Sequence, residues 1–100
     1  MKVSLSNRAE YKLLQISNYL LENWSLQSKN DFIKNLYEKV EQIKKYPYSC
    51  IESFEYKGLY KCVVSKQTTF YYRVLKDKDE IEIISVFDTR QNPDKLNRDL

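Results

Sequence analysis

Cations gather in the middle of this chain. Residues 57–78 hold six (Lys57, Lys61, Lys66, Arg73, Lys76 and Lys78) against Asp77 alone. Residues 1–56 hold eight Lys or Arg against seven Asp or Glu, and residues 79–100 hold three against six. A net charge of +3 over 100 residues is mild and does not of itself point to nucleic acid. The local excess is what could act, either as a surface for an acidic partner or as a solvated strand face. Histidine is absent. That excludes a His-bearing metal site, a Ser-His-Asp triad and a Cys-His dyad. Cys50 and Cys62 have no metal-ligand spacing, and no metal or other cofactor is expected. Cys62 falls in an apolar strand pattern and reads as a small core residue.

Elements must carry these residues. One hundred residues are the size of one domain, 1–100, with enough buried surface for a single core. Only one Gly and two Pro occur. Met1–Ser6 reads as a strand with Val3 and Leu5 on one face. Asn7 is the expected N-cap of a first helix over 8–23, with Glu10 completing a variant capping box. Ala9, Leu13, Ile16 and Leu20 form its stripe. Trp24 is expected to pack at the helical hairpin. Ser25 or Ser28 caps a second helix striped by Phe32, Leu36, Val40 and Ile43. Lys44 and Lys45 suit its C-terminal dipole, and Pro47 stops it.

The period then changes to two. Strands are predicted around Leu59–Lys66, over Thr68–Leu75 and over Glu80–Phe87, with 51–56 open between strand and loop. Phe70, Tyr72 and Val74 share one face, and Tyr71 and Arg73 the other. Ile81, Ile83 and Ser85 alternate with Glu82, Ile84 and Val86. The links at Lys66-Gln67 and Lys76–Asp79 suggest two hairpins. Pro93 ends the last element, and Asp94–Leu100 is a short tail. The fold class is therefore α+β in the order β-α-α-β-β-β. A helical hairpin packs on one face of a small twisted antiparallel sheet, leaving the other face to display polar and aromatic residues. No segment is apolar enough to span a membrane, and no run of signal-peptide length opens the chain. The cytosol is the expected compartment, where the thiols stay reduced.

That order, with "DFIKNLYEKVEQIKKYP", "TFYYRV" and "IEIISVFDTRQNP", resembles the RelE/ParE toxin superfamily along nearly the whole chain. The resemblance implies a bacterial type II toxin, held in check by a cognate antitoxin. It further implies one of two poisons. RelE-like members cut messenger RNA in the ribosomal A site, and ParE-like members inhibit DNA gyrase. For a metal-free nuclease, Arg90 would contact a phosphate, with Lys61 and Lys57 near the lysines of the first long strand. Yet Thr69 stands where the nucleases place an Arg, and Asp94–Leu100 holds no late Tyr or His. "FYYRV" and "TRQNPDKL" look closer to the ParE-like branch. There the function lies in a binding surface, with Arg73, Arg90, Tyr71 and Lys61 as its anchors.

Plainer readings stand beside these. Arg90 pairs with Asp88 or Asp94, and Arg73 is a cross-strand partner of Glu82. Tyr60, Tyr71 and Tyr72 are ordinary β-formers. A passive RNA-binding domain is the non-toxin alternative, without an RNP-type motif or a phosphate loop to support it. Under the toxin reading, Arg90→Ala is expected to reduce toxicity and leave the fold intact.

Overall fold

A computed structural model describes residues 1–91, so Pro93 and the tail Asp94–Leu100 lie outside the described residues. The chain opens with β1 (Lys2–Leu5), then α1 (Asn7–Asn23) and α2 (Leu26–Lys45). Four further strands follow: β2 (Ile51–Glu52), β3 (Tyr60–Val63), β4 (Thr68–Leu75) and β5 (Glu80–Asp88). A single 3-10 turn, Lys76–Lys78, joins the last two. Asp79 closes that hairpin in the left-handed region at φ 51°, a conformation Asp tolerates better than most residues.

The first helix begins one residue earlier than expected, and Ser6, not Asn7, is its N-cap. The Ala9 amide donates to Ser6 Oγ at 3.0 Å. The same hydroxyl donates to the Ile84 carbonyl at 2.7 Å. Asn7 could satisfy the helix end but not the strand, and the long-range bond decides between them. At α2 the nearer candidate wins, since Ser25 Oγ accepts from the Ser28 amide at 3.0 Å. Tyr46 ends the helix immediately before Pro47.

The sheet runs β1-β5-β4-β3-β2. The three meander strands and β2 are antiparallel to their neighbours, as expected. The first strand is not, because it lies parallel to β5, with Val3 opposite Ile81 and Leu5 opposite Ile83. The two helices carry the chain from β1 to the opposite edge, and the antiparallel meander returns it beside β1 running in the same direction, so the sheet is mixed. The ambiguous 51–56 segment resolves into two strand residues followed by a loop back to β3.

The core gathers Ala9, Ile16 and Leu20 from α1, Phe32, Leu36 and Ile43 from α2, and Cys62, Phe70, Tyr72, Ile81, Ile83 and Val86 from the sheet. The sequence alternation along β5 fails at its middle. Tyr71 faces Ser85 and Tyr72 faces Ile83, so Ile84 is an extra, bulged residue. Beyond it the faces exchange. Val86 joins Ile81 and Ile83 in the core, and Ser85 leaves their side. Tyr72 stands at the centre of the core and donates its hydroxyl to the Pro47 carbonyl at 2.8 Å, fixing the turn after α2.

Candidate interaction face and the arginine pairs

The face of the sheet turned away from the core cluster carries Lys61, Tyr71 and Arg73. Lys61 on β3 lies directly opposite Tyr71 on β4, and Arg73 follows two residues along the same strand. Tyr71 is buried, with 7% of its surface exposed. Its ring meets Phe87 edge to face at 5.9 Å and Tyr56 at 6.4 Å. Tyr56 belongs to the loop between β2 and β3, so this loop covers part of the second face. Burial, then the nearby Glu55 and Tyr56, hold the Tyr71 hydroxyl above its ordinary pKa. Tyr71 is thus the floor of the surface and does not project from it.

Around that floor is a shallow hollow of about 360 Å³, lined by Ile51, Phe54, Lys61, Val63 and Tyr71 among others. Ile51, Phe54 and Val63 are exposed apolar residues. None of the three is among the anchors expected from the sequence. Phe54, between Ser53 and Glu55 in a segment without clear periodicity, was the signal available. A large apolar residue there has no core to enter. Lys57 is exposed on the same loop, next to Gly58, whose φ of 85° makes the turn toward β3.

The two arginines are occupied. Arg73 donates Nε and Nη2 to Glu82 Oε1 at 2.9 and 2.7 Å, across the strand pair. Both ends of that bridge are partly exposed, and it adds little stability. Arg90 is held more deeply. Its Nε donates to Asp88 Oδ1 at 2.9 Å and its Nη2 to Oδ2 at 2.8 Å. Its own amide donates to Oδ1 at 3.0 Å, and the Thr68 hydroxyl to Oδ2 at 2.7 Å. The Asp88 side chain is fully buried, and 16% of the Arg90 side chain is exposed. The bond to Asp88 raises the guanidinium's pKa further, against a smaller opposing effect of burial. The Arg90 head also lies over the Trp24 ring, 5.6 Å from its centre. Trp24, the C-cap residue of α1, stands at the turn of the helical hairpin, but with 56% of its surface exposed it is not a core residue there. Arg90 therefore sits beyond the end of β5 beside α1, apart from Lys61 and Arg73.

A second surface feature lies across the molecule. β1 is an edge strand, and beside it a groove of about 520 Å³ runs along α2, lined by Val3, Leu5, Leu13, Ile33, Leu36 and Val40 among others. Among the described residues no group of three or more His, Cys, Asp or Glu is placed to hold a metal ion. No helix among them is long and apolar enough to cross a membrane.

A helical hairpin on this sheet order is a known arrangement. The family model described as the ParE toxin of type II toxin-antitoxin system, parDE, matches residues 3–93. The chain belongs to the ParE toxin family. No curated protein matches the sequence significantly. Among solved structures, the toxin resembles the chromosomal ParDE toxin-antitoxin system from P. aeruginosa with a TM-score of 0.73 at 14% identity, over 88% of this chain and 95% of that one. A YoeB/ParE toxin from Agrobacterium tumefaciens gives 0.62 at 12%, over 88% and 98%. The intact E. coli RelBE toxin-antitoxin complex gives 0.59 at 16%, over 87% and 94%. At such identities the likeness concerns the fold, which ParE and RelE toxins share. The membership rests on the family match.

Proposed function

We propose that this toxin poisons DNA gyrase by binding it, and that a cognate antitoxin neutralises it. The observation that carries this reading is the state of the arginines. The nuclease reading puts the phosphate on Arg90, and Asp88 already takes two of that guanidinium's donors in a largely buried pair. What the second face offers is a contact surface. Lys61 supplies charge, Ile51, Phe54 and Val63 supply exposed apolar area, and Tyr71 is a rigid base beneath them. Such a mixture of aromatic, aliphatic and cationic groups around a hollow suits a protein partner. Arg73, half exposed at the edge of the same face, extends it. Arg90 contributes by fixing the end of β5 rather than by touching the target.

The antitoxin has a different place to bind. The apolar groove between β1 and α2, rimmed by Lys2, Glu41 and Lys44, accommodates one amphipathic segment, and the free edge of β1 can pair with an extended one. Binding there would raise the toxin's apparent stability. A short reading frame adjacent to the toxin's own, encoding a DNA-binding N-terminus, is the expected genetic companion.

The test adds purified toxin to a gyrase supercoiling assay and expresses it in cells. Inhibited supercoiling, with filamentation, DNA-damage signalling and intact messenger RNA, is the expected result. Lys61→Glu should weaken inhibition by about tenfold, equivalent to ~1.4 kcal/mol, with an unchanged melting temperature. Prompt cleavage of translated mRNA at the A site, with gyrase unaffected, would replace this reading with the nuclease one, in which Lys57 and Lys61 face the RNA.

A further inference from the structure

Cys50 and Cys62 face one another across the short β2–β3 ladder. Ile51 pairs with Lys61 and Glu52 with Tyr60. The Ser53 amide donates to the Leu59 carbonyl at the loop end, so the register is regular. Continued one step the other way, it sets Cys50 opposite Cys62. Cys50 is an electrostatic neighbour of both the Cys62 thiol and the Tyr72 hydroxyl, as that register requires. Cys62 belongs to the core, and Cys50 packs against that core from a half-buried position. Residues directly opposed on antiparallel strands have Cα atoms about 4.5–5.5 Å apart, inside the ~4.4–6.8 Å that a disulfide spans. Two cysteines among 100 residues, separated by 12 positions in sequence, have been brought together by the fold.

We propose that Cys50 and Cys62 are a thiol–disulfide exchange site, oxidised by a low-molecular-weight disulfide such as oxidised glutathione to an intramolecular cross-link. Cys50 is the entry point, because it alone of the two reaches solvent; Cys62 is 1% exposed. The Cys50 thiolate attacks one sulfur of the small disulfide. One Cys50–glutathione bond forms, the original S–S bond breaks, and the leaving thiolate takes up the proton that Cys50 gave. Cys62 then attacks Cys50 Sγ, displaces the second glutathione as thiolate and passes its proton to it. Two protein thiols are oxidised and one small disulfide is reduced to two thiols. Burial, then Cys50 beside it, holds the Cys62 thiol up to about 12, so the second step owes its rate to proximity rather than to ionisation.

The cross-link would close residues 50–62 into a loop and tie the segment bearing Ile51, Phe54 and Tyr56 to β3. This holds whether or not gyrase is the target, because it depends on strand register alone. The experiment incubates the full-length toxin with oxidised glutathione under native conditions. The expected product is a monomer lighter by two hydrogen atoms, with a Cys50–Cys62 peptide on mapping. Its melting temperature should rise by at least about 5 °C and return on reduction. Cys62→Ala should stop the reaction at one glutathionyl group on Cys50, and Cys50→Ser should block both products. Cys50→Ser replaces a half-buried residue and carries the control if Cys62→Ala fails to fold. A wild-type toxin that keeps glutathione on Cys50, that forms only intermolecular dimers, or that does not react overturns the proposal.

Discussion

Arg90→Ala is the substitution that the buried Asp88 makes most consequential. The guanidinium supplies two of the four bonds to that carboxylate, at 2.9 and 2.8 Å. A hydrogen bond to a charged group contributes about 1.5–3 kcal/mol, and breaking a buried ion pair from one side costs about 3–5 kcal/mol. Two facts reduce the cost here. Thr68 Oγ1 and the backbone amide of residue 90 still donate to Asp88, and the 16% exposure of Arg90 lets water into the vacated space. The expected loss is therefore about 2–3 kcal/mol, or roughly 8–24 °C in melting temperature for a domain of this size. The reverse change is milder. Asp88→Asn keeps an acceptor for Thr68 and frees a guanidinium that can turn to solvent, at a cost of about 1 kcal/mol. In the Asp88→Asn background, Arg90→Ala should then cost under ~1 kcal/mol, a coupling of at least ~1 kcal/mol. Urea denaturation of the four proteins, followed by circular dichroism, measures the cycle. Equal cost of Arg90→Ala in both backgrounds, or no loss in either, would refute the reasoning. The expectation that Arg90→Ala leaves the fold intact is replaced by this one, and lost toxicity in that variant reports on the scaffold.

Two further outcomes follow from the same geometry. Ser6→Ala removes both the cap of α1 and the bond to Ile84, and should cost about 1–2 kcal/mol by the same denaturation assay, while Asn7→Ala should cost little. Stability should also decline at alkaline pH. The Cys62 thiol ordinarily ionises near 9.0 and in the folded toxin near 12. Between those values the unfolded chain releases a proton that the native state keeps, so the contribution present below pH 9 is lost as pH rises, by up to ~1.4 kcal/mol per pH unit. Tyr72, pushed up by burial, adds to the loss at higher pH. Thermal melts from pH 7 to 11 should show this slope, and Cys62→Ala should flatten its first part.

The sequence made most of the architecture legible. The stripe of Phe32, Leu36 and Ile43 fills the core as its spacing implies, and β4 occupies Thr68–Leu75 without correction. Hairpins and amphipathic helices are local patterns, so local reading finds them. What escaped it was settled over long distances. Ser6 outcompetes Asn7 through a strand 78 residues away. Ile84 looks like an ordinary member of an alternating run, and only pairing with β4 shows it to be extra. The parallel seating of β1 has no signature in MKVSLS. At the candidate face the residue types were the right ones to ask about, but their availability was not. Arg73 and Arg90 read as anchors, and what the spacing did not show is that each guanidinium has a carboxylate partner, Glu82 or Asp88, both of them named among the plainer readings. Phe54 and Ile51 were hidden by a segment with no period.

The parallel edge strand also sets an order of events during synthesis. β1 leaves the ribosome first, yet the one strand it pairs with is β5, near the other end of the described residues. α1 and α2 can fold against each other early, but Phe70, Ile81 and Val86, which close the core beneath them, are translated later. Contacts of such sequence separation form slowly and only once the far segment is available. A nascent chain halted before β5 holds the helical hairpin and the β2–β3–β4 ladder, but nothing joins β1 to that ladder. The face whose floor is Tyr71 is thus complete only when translation is nearly over, because that ring rests on Phe87 of β5.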